Sequence, residues 1–165
     1  MANTLKRQHS LWLMCGVPAS GKTVKAKELK AAWGDSCKYV SRDEVRFSML
    51  NDNDEYFGKE RDVWKKFVAE IQDGITNYDD TIADATHLNW ASRGKLLKAL
   101  HGIEFVDVNC YYFSTSLETC LERNRKREGR AKVPDDVIRN MYKSFTNPTF
   151  DPYHYHIIGE IVNGK

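Results

Sequence analysis

The chain has 165 residues, 41% hydrophobic and 29% charged, the size and mix of one soluble globular domain with a single sizeable core. No internal repeat or low-complexity tract divides it, and no stretch approaches the roughly 20 apolar residues needed to cross a bilayer. A formal charge of +2 neither demands nor excludes a nucleic-acid partner, so the placement of the charges has to decide.

Residues 1–9 are polar and read as a frayed end. Leu11–Cys15 is an apolar run of strand length behind Lys6 and Arg7. A phosphate-loop motif follows it at once, so the run is a buried first strand and not a targeting segment. Lys22–Trp33, rich in Lys, Ala, Glu and Leu and closed by Gly34, predicts a helix. Lys38-Tyr39-Val40 is a second strand, and Asp43–Leu50 a short helix. Asn51-Asp52-Asn53-Asp54 has loop composition. Tyr56–Tyr78 places Val63, Trp64, Phe67, Val68, Ile71 and Ile75 on one helical face.

Thr81-Ile82-Ala83 is a third strand. Trp90–His101 is a helix striped by Leu96, Leu97 and Leu100, and Phe105–Phe113 is a fourth strand. Leu117–Arg127 is helical, with a break at Glu128-Gly129-Arg130. Pro134 opens a helix that turns Val137, Ile138, Met141 and Phe145 inward. Pro148 and Pro152 mark a loop, and Tyr155–Val162 is a last strand. Strands alternating with helices imply an α/β fold in three layers, a parallel sheet covered by helices on both faces.

Gly16-Val17-Pro18-Ala19-Ser20-Gly21-Lys22-Thr23 matches G-x-x-x-x-G-K-[ST] at every fixed position. The glycines let backbone N–H groups turn toward a phosphate, and the helix beginning near Lys22 aims its positive end at the anion. Gly16, Pro18, Ala19, Ser20 and Gly21 form the cradle, Lys22 reaches the β- and γ-phosphates, and the Thr23 hydroxyl takes a place on Mg²⁺. The donor read from this loop is ATP or another nucleoside triphosphate. A strand before the motif and a helix after it are the setting it requires. No G-x-G-x-x-G is present, which disfavours a dinucleotide fold.

Ser41-Arg42-Asp43-Glu44-Val45-Arg46 follows the second strand, where chemistry gathers in open α/β sheets. Asp43 can take the proton of an attacking hydroxyl, or it can simply cap the helix. Arg46 shares its face and can orient a substrate. Asp84 ends the third strand and can handle Mg²⁺ through water, steady an arginine or close an Asx turn. His87 reads as structural or surface, and Arg93 as a solvated or ion-paired helix residue. Glu122–Lys132 holds six basic residues around Gly129 and reads as a mobile arginine-rich lid over the transferring phosphoryl group. Cys15, Cys37, Cys110 and Cys120 lack zinc spacing and read as buried reduced thiols. Trp12, Trp33, Trp64 and Trp90 are scattered and read as packing, not as a base-stacking platform.

Together, the 16–23 loop, the 41–46 stretch, Asp84-Ala85-Thr86, and Arg123–Pro134 running into Asp135–Phe145 resemble the kinase domain of 5′-hydroxyl polynucleotide kinases, of the phage and repair type, over residues 10–147. The resemblance implies an adenylate-kinase-like fold and ATP-dependent transfer to the 5′-hydroxyl of DNA or RNA, with Mg²⁺. It assigns the donor phosphates and metal to Lys22 and Thr23, with Arg123 on the nucleotide side. It makes Asp43 the general base, Arg46 the contact to the acceptor's terminal phosphate, Asp84 the support of Arg46, and Arg127 the lid arginine.

No Asp-x-Asp-x-Thr phosphatase signature follows the kinase segments, so the expectation is a single-domain, stand-alone kinase working in the cytoplasm, which is the host's if the chain is phage-encoded. The alternative acceptor is a small hydroxyl compound, a nucleoside or a modified base in DNA. A nucleotide-binding switch without transfer is the remaining class.

Overall fold

The computed structural model describes residues 8–162; most of the polar 1–9 stretch lies outside them. Five strands form one parallel sheet: β1 (Ser10–Cys15), β2 (Cys37–Ser41), β3 (Asp80–Asp84), β4 (Asp107–Phe113) and β5 (His156–Ile161). Their order is β2-β3-β1-β4-β5. The helices are α1 (Lys22–Trp33), α2 (Arg42–Met49), α3 (Glu60–Asn77), α4 (Trp90–Ala99), α5 (Leu117–Arg125) and α6 (Asp135–Ser144).

The alternating side chains of β1 divide the core in two. Leu11, Leu13 and Cys15 pack with Phe67, Ile71 and Ile75 of α3 and with Leu96 of α4. Met14 and its neighbour Trp12 face the opposite layer, against Ala26, Leu29 and Trp33 of α1. A strand covered on both faces has to be apolar throughout, which is why Leu11–Cys15 reads as one continuous run. The chain leaves β1 toward β2 and β3 on one side, then crosses to β4 and β5 on the other. The carboxyl end of β1 is therefore the switch point at which open α/β sheets hold ligands.

Among the boundaries that differ from the sequence pattern, two have clear physical reasons. α3 starts at Glu60, not Tyr56, because residues 55–59 are tied in turns: Gly58 N–H donates to the Glu55 carbonyl (2.9 Å) and Glu60 N–H to Phe57 (3.3 Å). α5 ends at Arg125, not Arg127, where the amides of Lys126 and Arg127 bond back to the Arg123 and Asn124 carbonyls.

Arg93 is ion-paired but not solvated. It is 0% exposed, and Asp151 grips it in a fork through Nε (2.5 Å) and Nη2 (2.8 Å). The remaining guanidinium donors go to the His87 carbonyl (2.7 Å) and to the carbonyl and hydroxyl of Thr146 (2.9 Å each). Desolvating such a charge is costly, and removing a partner would leave the other buried and bare. The network pins the 146–151 segment across α4. The four cysteines are buried and free, as the sequence implies.

Candidate active site

At the carboxyl end of β1 the chain turns so tightly that a β-carbon on Gly16 would lie 2.7 Å from Ser20 Oγ and 3.0 Å from Phe113 Cβ. Gly21 takes φ 105°, a left-handed conformation that glycine adopts freely, and Ala19 takes φ 63° beside it. The loop is braced from outside by Gly16 N–H to the Thr86 carbonyl (2.9 Å) and by the Thr115 hydroxyl to the Ser20 carbonyl (2.8 Å). Inside it, the buried Ser20 hydroxyl has no protein partner. A built cradle with an orphaned donor at the start of a helix fits a phosphate.

Lys22 is 8% exposed and donates to the Val17 carbonyl (2.8 Å), folded into its own loop. Burial lowers its pKa, against the pull of Asp84 and Asp43. The Thr23 hydroxyl donates to Asp84 Oδ2 (2.7 Å), and Tyr39 donates to the same oxygen (2.8 Å). Asp84 thus serves Thr23 and Tyr39, not Arg46. It sits at the last pair of the β1–β3 and β2–β3 ladders, on the P-loop side of the cleft, out of line with the Arg46 support that the resemblance implies.

Ser41, not Asp43, caps α2: its side chain accepts from the Glu44 amide. Asp43 is thereby released into the cleft, with its side chain 64% exposed. It accepts from Arg46 Nη1 (2.5 Å) and from the Tyr56 hydroxyl (2.9 Å). Arg46 is almost buried, and its second terminal nitrogen goes to Glu60 Oε2 (2.9 Å). Its guanidinium lies over the rings of Tyr56 (4.5 Å) and Phe57 (5.5 Å), and Glu60 also pairs with Arg42. Burial disfavours the Arg46 cation, but Glu60, Tyr56 and Asp43 outweigh it and its pKa is raised. Burial, with the Asp43 charge behind it, pushes the Tyr56 phenol up to about 12, so it stays a hydrogen-bond donor.

Two cavities meet at the P-loop. One, of about 540 Å³, runs from Thr23 and Val24 to Tyr111, Gly159 and Arg123. The other, of about 570 Å³, is lined by Asp43, Arg46, Tyr56, Phe57 and Asp84. They share Ala19, Lys22, Thr23 and Arg127, so Arg127 stands at the junction. Arg123 reaches the Ala19 carbonyl at 3.4 Å and lines the first cavity. The basic segment is closed on itself by the buried Asn124, whose amide nitrogen donates to the Val133 carbonyl (2.6 Å) and whose oxygen accepts from Val133 N–H (3.0 Å). Arg130 crosses to the Asn51 carbonyl (2.5 Å).

The sequence pattern missed Tyr39, Tyr56, Glu60 and Asn124. Tyr56 carried a clue, standing between an acidic loop and the periodic stretch. The others gave no local signal, since their partners are distant in the chain.

His87 is structural. It is buried with φ 41°, and its Nε2 lies 3.1 Å from the Ala83 carbonyl. Burial pulls its pKa down to about 3, with the Ala83 carbonyl opposing and Arg42, Arg93 and Lys22 reinforcing. Between about 3 and 6.5 the unfolded chain takes a proton that the folded chain refuses. The contribution is therefore fully present above 6.5 and declines as pH falls toward 3. In urea denaturation at about pH 7 and about pH 5, His87→Asn, which tolerates the left-handed backbone, is expected to lose less stability than the parent, whose extra slope is at most about 1.4 kcal/mol per pH unit. Equal losses in the two proteins would show that His87 is not held neutral.

Among the described residues no helix is long and apolar enough to cross a membrane, and no group of three or more His, Cys, Asp or Glu gathers to hold a metal. A family model described as "AAA domain" matches residues 11–148. A candidate bifunctional polynucleotide kinase/RNA ligase of Autographa californica nuclear polyhedrosis virus is 26% identical over 162 residues, covering 88% of this chain and 22% of the viral protein. A chain in the structure of the Pnkp1/Rnl/Hen1 RNA repair complex superposes with a TM-score of 0.71 at 24% identity, over 87% of this chain and 46% of that one. A candidate kinase from Chloroflexus aurantiacus superposes with a TM-score of 0.73 at 14% identity, over 96% and 87% of the two chains. Both superpositions speak to the fold. The chain spans about a fifth of the viral relative and under half of the repair-complex chain.

Proposed function

The chain belongs to the AAA-domain family, and from that premise we propose that it transfers the γ-phosphoryl group of ATP, or of another nucleoside triphosphate, to the 5′-hydroxyl end of DNA or RNA. The observation that carries this reading is Asp43, freed from capping, fixed by Arg46 and Tyr56, and facing a second cavity that opens onto the P-loop. The viral relative's name points to the same reaction, and polynucleotide ends are the acceptor class it suggests.

The triphosphate occupies the cradle of residues 16–23 with Lys22 and Ser20 on its phosphate oxygens, and the nucleoside extends into the cavity beside Arg123. The acceptor enters past Tyr56 and Phe57, and Arg46 offers its cation to the acceptor's terminal phosphate. Asp43 takes the hydroxyl proton as the oxygen attacks the γ-phosphorus. The bond to the bridging oxygen breaks, and the nucleoside diphosphate leaves. Arg127, at the junction of the cavities, is the lid cation that offsets charge on the moving phosphoryl. Thr23 and Asp84, whose side-chain oxygens lie 2.7 Å apart, would hold a magnesium ion, which would supply positive charge against the triphosphate. The four buried free thiols suit a reducing compartment such as the cytoplasm.

Labelled ATP with magnesium and a 5′-hydroxyl oligonucleotide, with free nucleosides as competitors, tests the reading. Label at the 5′ end of the oligonucleotide is expected. Label confined to nucleosides or another small alcohol would move the acceptor to the small-molecule class.

A further inference from the structure

A third cavity, a groove of about 490 Å³, lies outside the site described above. Trp64 of α3, Trp90, Gly94, Lys95 and Lys98 of α4, and Tyr153 surround it. Trp90 is 54% exposed, although it is one of the largest apolar side chains in the molecule. No carboxylate lines the groove, and Lys95 and Lys98 form no ion pair among the described residues. Lys95 instead holds its ammonium 4.6 Å from the Trp64 ring.

We infer that this groove carries the single-stranded part of the acceptor beyond its phosphorylated end. The inference rests on the acceptor reading proposed above and sharpens it to a polynucleotide. Continuity supports it: Arg42 lines the Asp43 cavity and stacks at 5.3 Å on the same Trp64 ring that Lys95 approaches. One indole therefore joins the reaction cavity to the groove. Trp90 opens α4 directly after the loop that carries Ala85 and Thr86 into that cavity.

The chemistry of the lining supports it too. Ring faces interleaved with unpaired ammonium groups match stacked bases and a phosphate backbone. A protein partner would favour a flatter apolar centre with few lysines. The floor is also built to hold still. A β-carbon on Gly94 would fall 1.9 Å from the Tyr153 hydroxyl, so the ring lies directly on the helix. The loop that delivers Tyr153 is the one fixed by the buried Arg93–Asp151 fork. A desolvated ion pair contributes little net stability, and its value here is to position a surface ring.

The test compares two acceptors, a 5′-hydroxyl oligonucleotide of about twelve nucleotides and a nucleoside 3′-phosphate small enough for the Asp43 cavity alone. The parent protein is expected to show a lower KM for the longer acceptor. Lys95→Gln/Lys98→Gln, surface changes that keep both stems, should raise that KM about tenfold and leave kcat and the short acceptor's constants alone. It should also flatten the log–log salt dependence of oligonucleotide binding by about 1.4, two single-strand phosphate contacts. Trp90→Leu should raise the same KM without changing the salt slope.

Equal changes for both acceptors, no change for either, or an unaltered salt slope in the double variant would overturn the inference, and the last two results would leave the groove to a protein partner. Transfer by the parent to both acceptors without length dependence removes the inference and leaves the acceptor reading standing. Transfer to neither removes both.

Discussion

Asp43→Asn is expected to lower kcat by about 10²–10⁴, the range lost with a general base, while ATP affinity measured without acceptor stays at the parent value. The replacement is nearly isosteric, and an amide oxygen can still accept from Arg46 and Tyr56, so the geometry of the pocket survives. Only the capacity to take a proton goes. The folded state should change little: Asp43 is largely exposed, Ser41 supplies the helix cap, and the buried Arg46 keeps its ion pair with Glu60. Single-turnover transfer and calorimetric titration with ATP separate the two quantities. A parallel fall in both, or undiminished transfer, would remove Asp43 from the role of base.

Lys22→Ala is expected to lower kcat/KM for ATP by about 10²–10³, the loss typical of one positioned donor on a developing oxyanion, whichever acceptor is supplied. Its second consequence has the opposite sign. Burial already disfavours the Lys22 cation in the absence of nucleotide, so the substitution should leave the thermal midpoint of the free protein unchanged or raise it. What should vanish is the extra stability that added nucleotide confers. Thermal melts with and without ATP read both effects. Full activity, or an ATP-induced shift equal to the parent's, would contradict the donor-site assignment.

What was legible from the sequence was local. The P-loop announces itself because eight adjacent residues make the whole cradle, and β1 announces itself because burial on both faces leaves no polar position. Asp43 and Arg46 were visible together because one helical turn joins them. The residues that complete their setting were not. Glu60 opens α3, but the sequence pattern extends that helix upstream to Tyr56, so both residues read as parts of one helix. Arg93 reads as solvated or ion-paired because a helical stripe cannot choose between the two: the aspartate that draws the side chain under cover lies 58 residues away. Asp84 was placed correctly at the end of its strand, yet its partner depends on strand order, and β3 lies between β1 and β2. The tryptophans divided for the same reason. Trp12 and Trp33 pack together at 4.9 Å, whereas Trp90 stays open to solvent on the rim of the groove it shares with Tyr153.

Asn124 gives the proposed lid a particular mechanical character. Its two bonds to Val133 clasp the ends of the basic segment into a hoop. If the hoop moves as a lid, opening it would release the Arg130 strut on Asn51 while the clasp spares the backbone between from re-ordering. Arg127 would return to the same spot on every cycle, as a clapper returns to its bell.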